Sequence, residues 1–175
     1  MKKLYSKLTI KSFDEGTREL TGIASTPSAD SDMDTIDPQG AVFDLPFPLL
    51  EEHNPSKPIG EVTHAVVTEK GIFIKAFVTK DTGLDYVEEA YKKIKSKLVK
   101  GLSIGFAAIK ATPNEFGGLH FSEYEIRELS AVTIPANREA TISNIKSACQ
   151  KGGVCEYKAK IIKAKKLCYN SINAS

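Results

Sequence analysis

The sequence predicts an α+β fold, mainly β: a closed or nearly closed antiparallel β-barrel of six to eight strands with flanking helices. Three observations carry this expectation. Up to Pro135 the chain carries six to eight strand-like segments between turn signals, the clearest of them alternating apolar and polar residues at period two. Only two segments carry the 3.6-residue period of a helix, and strands and helices do not alternate as a parallel α/β sheet would require. A length of 175 residues suits one compact domain, and 41% hydrophobic with 26% charged residues is the balance of a soluble globular chain.

Taken in order, Leu4, Leu8 and Ile10 share one parity against Lys7, Thr9 and Lys11, which predicts a strand with one wet face. Residues 18–24 read as its hairpin partner through Asp14-Glu15-Gly16. Four prolines (Pro27, Pro38, Pro46 and Pro48) and a run of aspartates make 26–48 a long loop, and such loops are usually functional. Strands follow at 59–68 and 71–79 around a Glu69-Lys70-Gly71 turn. Then the period changes. Leu84, Val87, Tyr91, Ile94 and Leu98 form one stripe of a helix from about Gly83 to Lys97, with Thr82 as N-cap and Asp85 completing a capping box. Strand residues return over 102–112 and, after a Pro113-Asn114-Glu115 turn, over 119–129 and 130–135. Asn137 opens a second helix towards Cys149, ended by Gly152-Gly153. The chain divides into a body, 1–150, and a Lys-rich tail, 151–175.

Charge and cysteine usage exclude several classes. The tail carries six lysines against Glu156, in a chain whose formal charge is only +2, so the body is slightly acidic. With three arginines (Arg18, Arg127 and Arg138) the chain is poorly equipped for specific nucleic-acid reading. Cys149, Cys155 and Cys168 form neither a CxxC pair nor a His-spaced metal set, which suits free thiols in a reducing compartment. No apolar run approaches the roughly 20 residues of a membrane span, and the basic opening has no apolar stretch behind it to make a signal peptide. The expectation is a cytoplasmic chain with no cofactor, no metal and no membrane contact.

Several constellations could carry chemistry. Gly101-Leu102-Ser103-Ile104-Gly105 matches the G-x-S-x-G nucleophile elbow on paper. That elbow needs a strand before the serine and a helix after it. Here a lysine-rich helix precedes and strand-like residues follow, so an esterase built on this match with His120 is rejected. Asp30, Asp32 and Asp34 alternate as in an EF-hand loop, but Thr35 and Ala41 stand where its glycine and glutamate belong, leaving a solvated acidic loop. Of the three histidines, His64 shares parity with Val62 and Val66 and reads as packed or rim, while His120 reads as solvent-facing beside Gly117-Gly118. His53 ends an apolar segment and opens a proline-rich stretch, a position that suits a cleft. Spacing alone nevertheless favours an ordinary structural role for both His53 and Ser103.

Three blocks, in order, resemble the prohead (procapsid) maturation proteases of tailed bacteriophages, relatives of herpesvirus assemblin. The first is Pro48-Leu49-Leu50-Glu51-Glu52-His53 followed by Pro58-Ile59-Gly60-Glu61-Val62. The second is Leu102-Ser103-Ile104-Gly105-Phe106, and the third runs from Glu128 to Asn137 as E-x-S-x-V-x-x-P-A-N. The similarity extends from about Leu4 to Ala148, with Asn54 standing where the family commonly has an acidic residue. The resemblance implies an assemblin-like barrel over 1–150 and a serine endopeptidase with Ser103 as nucleophile, His53 as general base and Glu128 as the third member. Oxyanion donors would be backbone N–H groups near Ser103 or in the Asn137-Arg138 turn. It also implies protein substrates, namely the capsid scaffold or the scaffolding segment of the major capsid protein, and the chain itself. The setting would be the assembling procapsid in the host cytoplasm, with the tail trimmed by self-cleavage and the 84–98 stripe available for a homodimer. The alternative is a non-catalytic capsid-assembly protein that binds scaffold.

Overall fold

The computed structural model describes residues 2–4, 10–14 and 16–134, the side chains among them from Gly16 onward. The second predicted helix, the Asn137-Arg138 turn, the three cysteines and the basic tail lie outside the described residues.

The described residues form ten strands and one α-helix: β1 (Lys2–Leu4), β2 (Ile10–Asp14), β3 (Glu19–Ser25), β4 (Thr35–Ile36), β5 (Ala41–Val42), β6 (Phe47–Glu51), β7 (Asn54–Thr68), β8 (Gly71–Val78), α1 (Asp85–Lys95), β9 (Gly101–Pro113) and β10 (Leu119–Val132). Eight strands follow one another in a single sheet, in the order β1-β9-β10-β6-β7-β8-β3-β2, and the short β4 and β5 also pair with β10. The mainly β expectation holds, but the closed antiparallel barrel does not. The path ends at β1 and β2, which do not pair with each other among the described residues, and β10 runs parallel to β4, β5 and β6. Period-two patterning reports that a segment is a strand and which face is wet. It carries no information about which strand lies beside it, so closure and orientation are set by long-range pairing.

Local chemistry explains most boundaries. In β8, Ile72, Ile74, Ala76 and Val78 are buried on one face, as their alternation requires. In β7 a register shift between Val62 and His64 reverses the parity, so Val62 is buried while His64 and Val66 face solvent. The expected first strand is two: β1 pairs with β9, and β2 makes the hairpin with β3. The expected long loop contains β4, a single 3-10 turn at Pro38–Gly40 and β5.

Helix α1 is shorter than its stripe predicts. Val87, Ala90 and Ile94 are buried, whereas Leu84 and Leu98 at the two ends are exposed. Leu84 occupies the N-cap position, and Thr82 instead accepts the Leu84 N–H through Oγ1. Arg18 binds the helix to the β2–β3 turn: its guanidinium holds Glu88 through two hydrogen bonds of 2.7 and 3.1 Å and lies 4.1 Å above the Tyr91 ring. The apolar core beneath the sheet includes Leu20, Ile36, Leu49, Ile59, Ile72, Leu102, Ile104 and Leu129, with Phe106 packed edge-on against Phe121 at 5.1 Å.

The acidic loop is not solvated as its composition suggests. Asp30 and Asp34 are buried; Asp30 Oδ1 accepts the N–H groups of Asp32 and Asp34, and Asp34 Oδ1 accepts that of Leu119. These are backbone-tying carboxylates, and among the described residues no group of three acidic, His or Cys side chains is arranged for a metal. Asp30 Oδ2 is buried with no hydrogen-bond partner among the described residues, and burial raises the Asp30 pKa above the ordinary carboxylate value. A raised folded-state pKa contributes stability below the unfolded value that is lost as pH rises through the folded one. Asp30→Asn, which keeps the Oδ1 acceptor and mimics the protonated group, should stay within about 1 kcal/mol of the native chain at neutral pH. Urea midpoints measured at acid and neutral pH should show a flatter profile for this variant.

Candidate active site

Three neighbouring elements build the site. Strand β10 is flanked by β9, antiparallel, and by β6, parallel, so the end of β6, the end of β10 and the start of β9 meet. Ser103 on β9 lies directly across from Ser130 on β10, and Glu128, two residues earlier, shares Ser130's face. His53 comes from the two-residue turn between β6 and β7, where Glu51 pairs with Asn54. Both turn residues are left-handed, with φ of 51° for Glu52 and 56° for His53, the sign pattern of a type I′ hairpin turn.

Left-handed backbone costs a non-glycine residue about 1–2 kcal/mol, and neither Glu nor His is a natural choice for this turn. Contacts to β10 hold it. Glu52 N–H donates to the Ala131 carbonyl at 3.0 Å, and His53 N–H donates to Ser130 Oγ at 3.1 Å. Glu52 Oε1 accepts both the N–H and the hydroxyl of Thr133, at 2.7 and 2.6 Å. The strained turn is thus fixed to the neighbouring strand, with the imidazole lying over β10 towards β9.

All three residues singled out in the sequence come together. His53 Nε2 is 2.7 Å from Ser103 Oγ, and His53 Nδ1 is 2.6 Å from Glu128 Oε1. A carboxylate can only accept, so Nδ1 carries the proton and Nε2 is left to accept the Ser103 hydroxyl. The other oxygen of Glu128, Oε2, accepts the Ser130 hydroxyl at 2.7 Å. The chain of bonds is buried throughout: Ser103 is 0%, Glu128 3% and His53 6% exposed. In such surroundings each hydrogen bond is electrostatically stronger than in water, and a misplaced one costs more.

The second glycine of the G-x-S-x-G match has a role unrelated to an elbow. Gly105 pairs with Glu128 across the two strands, next to a register shift between Ile126 and Glu128. A methyl on Gly105 would lie 2.7 Å from Glu128 Cδ and nearer still to Oε1. The carboxylate therefore reaches His53 only by passing over a position with no side chain. Gly105→Ala is expected to fold with a loss of about 1–3 kcal/mol from overpacking. Displacing the carboxylate by an ångström should lower kcat by about 10²-fold, measured beside a urea unfolding curve.

The remaining candidates lie elsewhere. His64 hydrogen-bonds Thr63 on the exposed side of β7, and His120 Nδ1 is 3.0 Å from Thr35 Oγ1 on the wall of a separate groove. That half-buried contact replaces the expected solvent-facing position of His120. Beside the turn, Glu51 is buried and takes ion pairs from Lys93 at 2.8 Å and Lys57 at 3.3 Å, which joins α1 to the end of β6. Burial pushes the Glu51 pKa up, but the two lysines outweigh it and hold the carboxyl below its ordinary range. Sequence reasoning gave no role to Glu52, Gly105, Ser130 or Thr133. The signal for Ser130 was its place in the E-x-S-x-V block, two residues after Glu128.

Comparisons with known proteins show the family to which the chain belongs. A family model described as caudovirus prohead serine protease matches residues 13–153. The chain is 50% identical over 151 residues to a capsid polyprotein of Pseudomonas phage PAJU2, covering 83% of this chain and 22% of that polyprotein. It is 28% identical over 152 residues to the prohead protease of Escherichia phage T5, covering 79% of this chain and 70% of that protein. Among solved structures, it is similar to KSHV protease in complex with a hexapeptide phosphonate inhibitor, at a TM-score of 0.39 and 16% identity, over 65% of this chain and 58% of that one.

Proposed function

Because the chain belongs to the caudovirus prohead serine protease family, we propose that it is a serine endopeptidase of procapsid maturation, with Ser103 as nucleophile, His53 as general base and Glu128 as the residue that orients the base. The observation that carries this reading is the continuous Ser103–His53–Glu128 hydrogen-bond chain, which runs through both imidazole nitrogens.

In the proposed reaction His53 Nε2 takes the Ser103 proton as Oγ bonds to the scissile carbonyl carbon. Glu128 holds the proton on Nδ1 and stabilises the imidazolium that forms. His53 then returns the proton to the leaving amine, the C–N bond breaks, and an acyl ester remains on Ser103. A water activated by the same imidazole releases the new carboxyl end. No metal or cofactor is required.

The substrates we infer are the capsid scaffold or the scaffolding segment of the major capsid protein, and the protease itself, inside the assembling shell. The capsid polyprotein relative supports this reading, because there a region matching this chain occupies about a fifth of a longer polypeptide whose name is that of the capsid. Co-expression with the neighbouring capsid and scaffold proteins tests it, with native Ser103 compared against Ser103→Ala by intact mass. Shortened partners only with the native serine are expected, and their ends give the cleavage sites. Full-length partners in both cases, with shells still forming, would contradict the protease reading and favour a non-catalytic assembly role.

A further inference from the structure

We propose that Ser130 is a positioning residue for this site, whose single hydroxyl fixes both the base and the acid. This rests on the catalytic reading of Ser103, His53 and Glu128. Ser130 Oγ stands at a junction: it accepts the backbone N–H of His53 at 3.1 Å and donates its own proton to Glu128 Oε2 at 2.7 Å. It is fully buried, and its backbone lies directly opposite Ser103 in the β9–β10 register. The oxygen thus touches the two groups that orient the imidazole while taking no part in proton transfer itself.

Each bond answers a specific need. Ser130 Oγ supplies an acceptor for the buried N–H that the left-handed turn presents at His53. Glu128 has two oxygens and uses only Oε1 on the imidazole. Without a donor for Oε2, a carboxylate that is 3% exposed would be under-satisfied and free to rotate about its terminal torsion. With the Ser130 proton on Oε2, the torsion that points Oε1 at Nδ1 is selected. The two-residue spacing of the Glu-x-Ser pair follows, because only positions two apart on a strand share a face and a reach.

The test compares native chain, Ser130→Ala, Ser130→Thr and Ser103→Ala on a peptide spanning a cleavage site mapped by co-expression. Both kcat and KM are measured, beside thermal unfolding. Ser130→Ala should leave KM near native and lower kcat by about 10- to 100-fold, the scale on which residues that orient another side chain act. Ser130→Thr, which keeps the hydroxyl, should recover most of that loss. Ser130→Ala with native kcat would overturn the proposal, as would a threonine variant no faster than alanine, since packing rather than the hydroxyl would then be at issue. If Ser130→Ala does not fold, Ser130→Cys carries the same expectation, because a thiol fills the space but donates poorly. A native chain as inactive as Ser103→Ala would instead remove the catalytic reading, and the positioning role with it. A fast native chain with an equally fast Ser130→Ala removes the positioning role alone.

Discussion

Ser103→Ala is expected to fold like the native chain and to lose turnover on the order of 10⁶-fold, because nucleophile and base act as a unit. The substitution deletes one buried oxygen that hydrogen-bonds His53 Nε2. The base keeps its Nδ1 bond to Glu128 and its backbone bond to Ser130, so its placement survives. Stability should therefore change by no more than about 1 kcal/mol, read as a urea midpoint. A variant that keeps native turnover would show that some other group attacks the peptide bond. One that unfolds would show that Ser103 is needed first for packing.

Glu128→Gln should come close to that effect, with a loss on the order of 10⁴-fold in kcat. The reason lies in the two oxygens. If the amide keeps its carbonyl on the Ser130 hydroxyl, its NH2 faces His53 Nδ1 and forces that nitrogen to accept. The proton then moves to Nε2, which can no longer take one from Ser103. If the amide flips, Nδ1 keeps its proton, but the Ser130 hydroxyl faces an NH2 donor and loses its acceptor in a buried position. Either arrangement is penalised. Steady-state kinetics on the mapped peptide should show the loss in kcat, with near-native KM because the carboxylate has no part in holding the peptide.

The sequence made some of this legible and hid the rest for physical reasons. Helix α1 was visible because a 3,4,3,4 spacing has no strand counterpart, though its ends frayed by two residues on either side, where Leu84 and Leu98 meet solvent. Strands such as β8 were visible from alternation. The parallel pairing of β10 with β6 was not, because it joins residues about 80 apart in sequence through no local signal. The acidic loop misled for a related reason: Asp30 looks solvated until its backbone partners are known.

At the site, residue types and order were enough to single out His53, Ser103 and Glu128 through family resemblance, while spacing alone favoured structural roles. What the sequence could not reveal was how His53 reaches Ser103. A two-residue turn of Glu52 and His53 lacks the Asn-Gly signature of its class, so the stretch read as the end of a strand and the opening of a loop. The strain is held by Thr133 and Ser130, contacts that exist only after β6 and β10 have paired. Gly105 stands out in the sequence only within the rejected G-x-S-x-G match and the serine block, and its meaning appears only when Glu128 is placed opposite.

The central claim is that His53 activates Ser103 as a nucleophile. The most direct measurement is covalent capture with diisopropyl fluorophosphate, followed by intact mass and peptide mapping of the native chain and of His53→Ala. A single adduct on Ser103 in the native chain, and none on the same timescale in His53→Ala, is the predicted result. Absence of an adduct in the native chain, or equal labelling of both proteins, would contradict it.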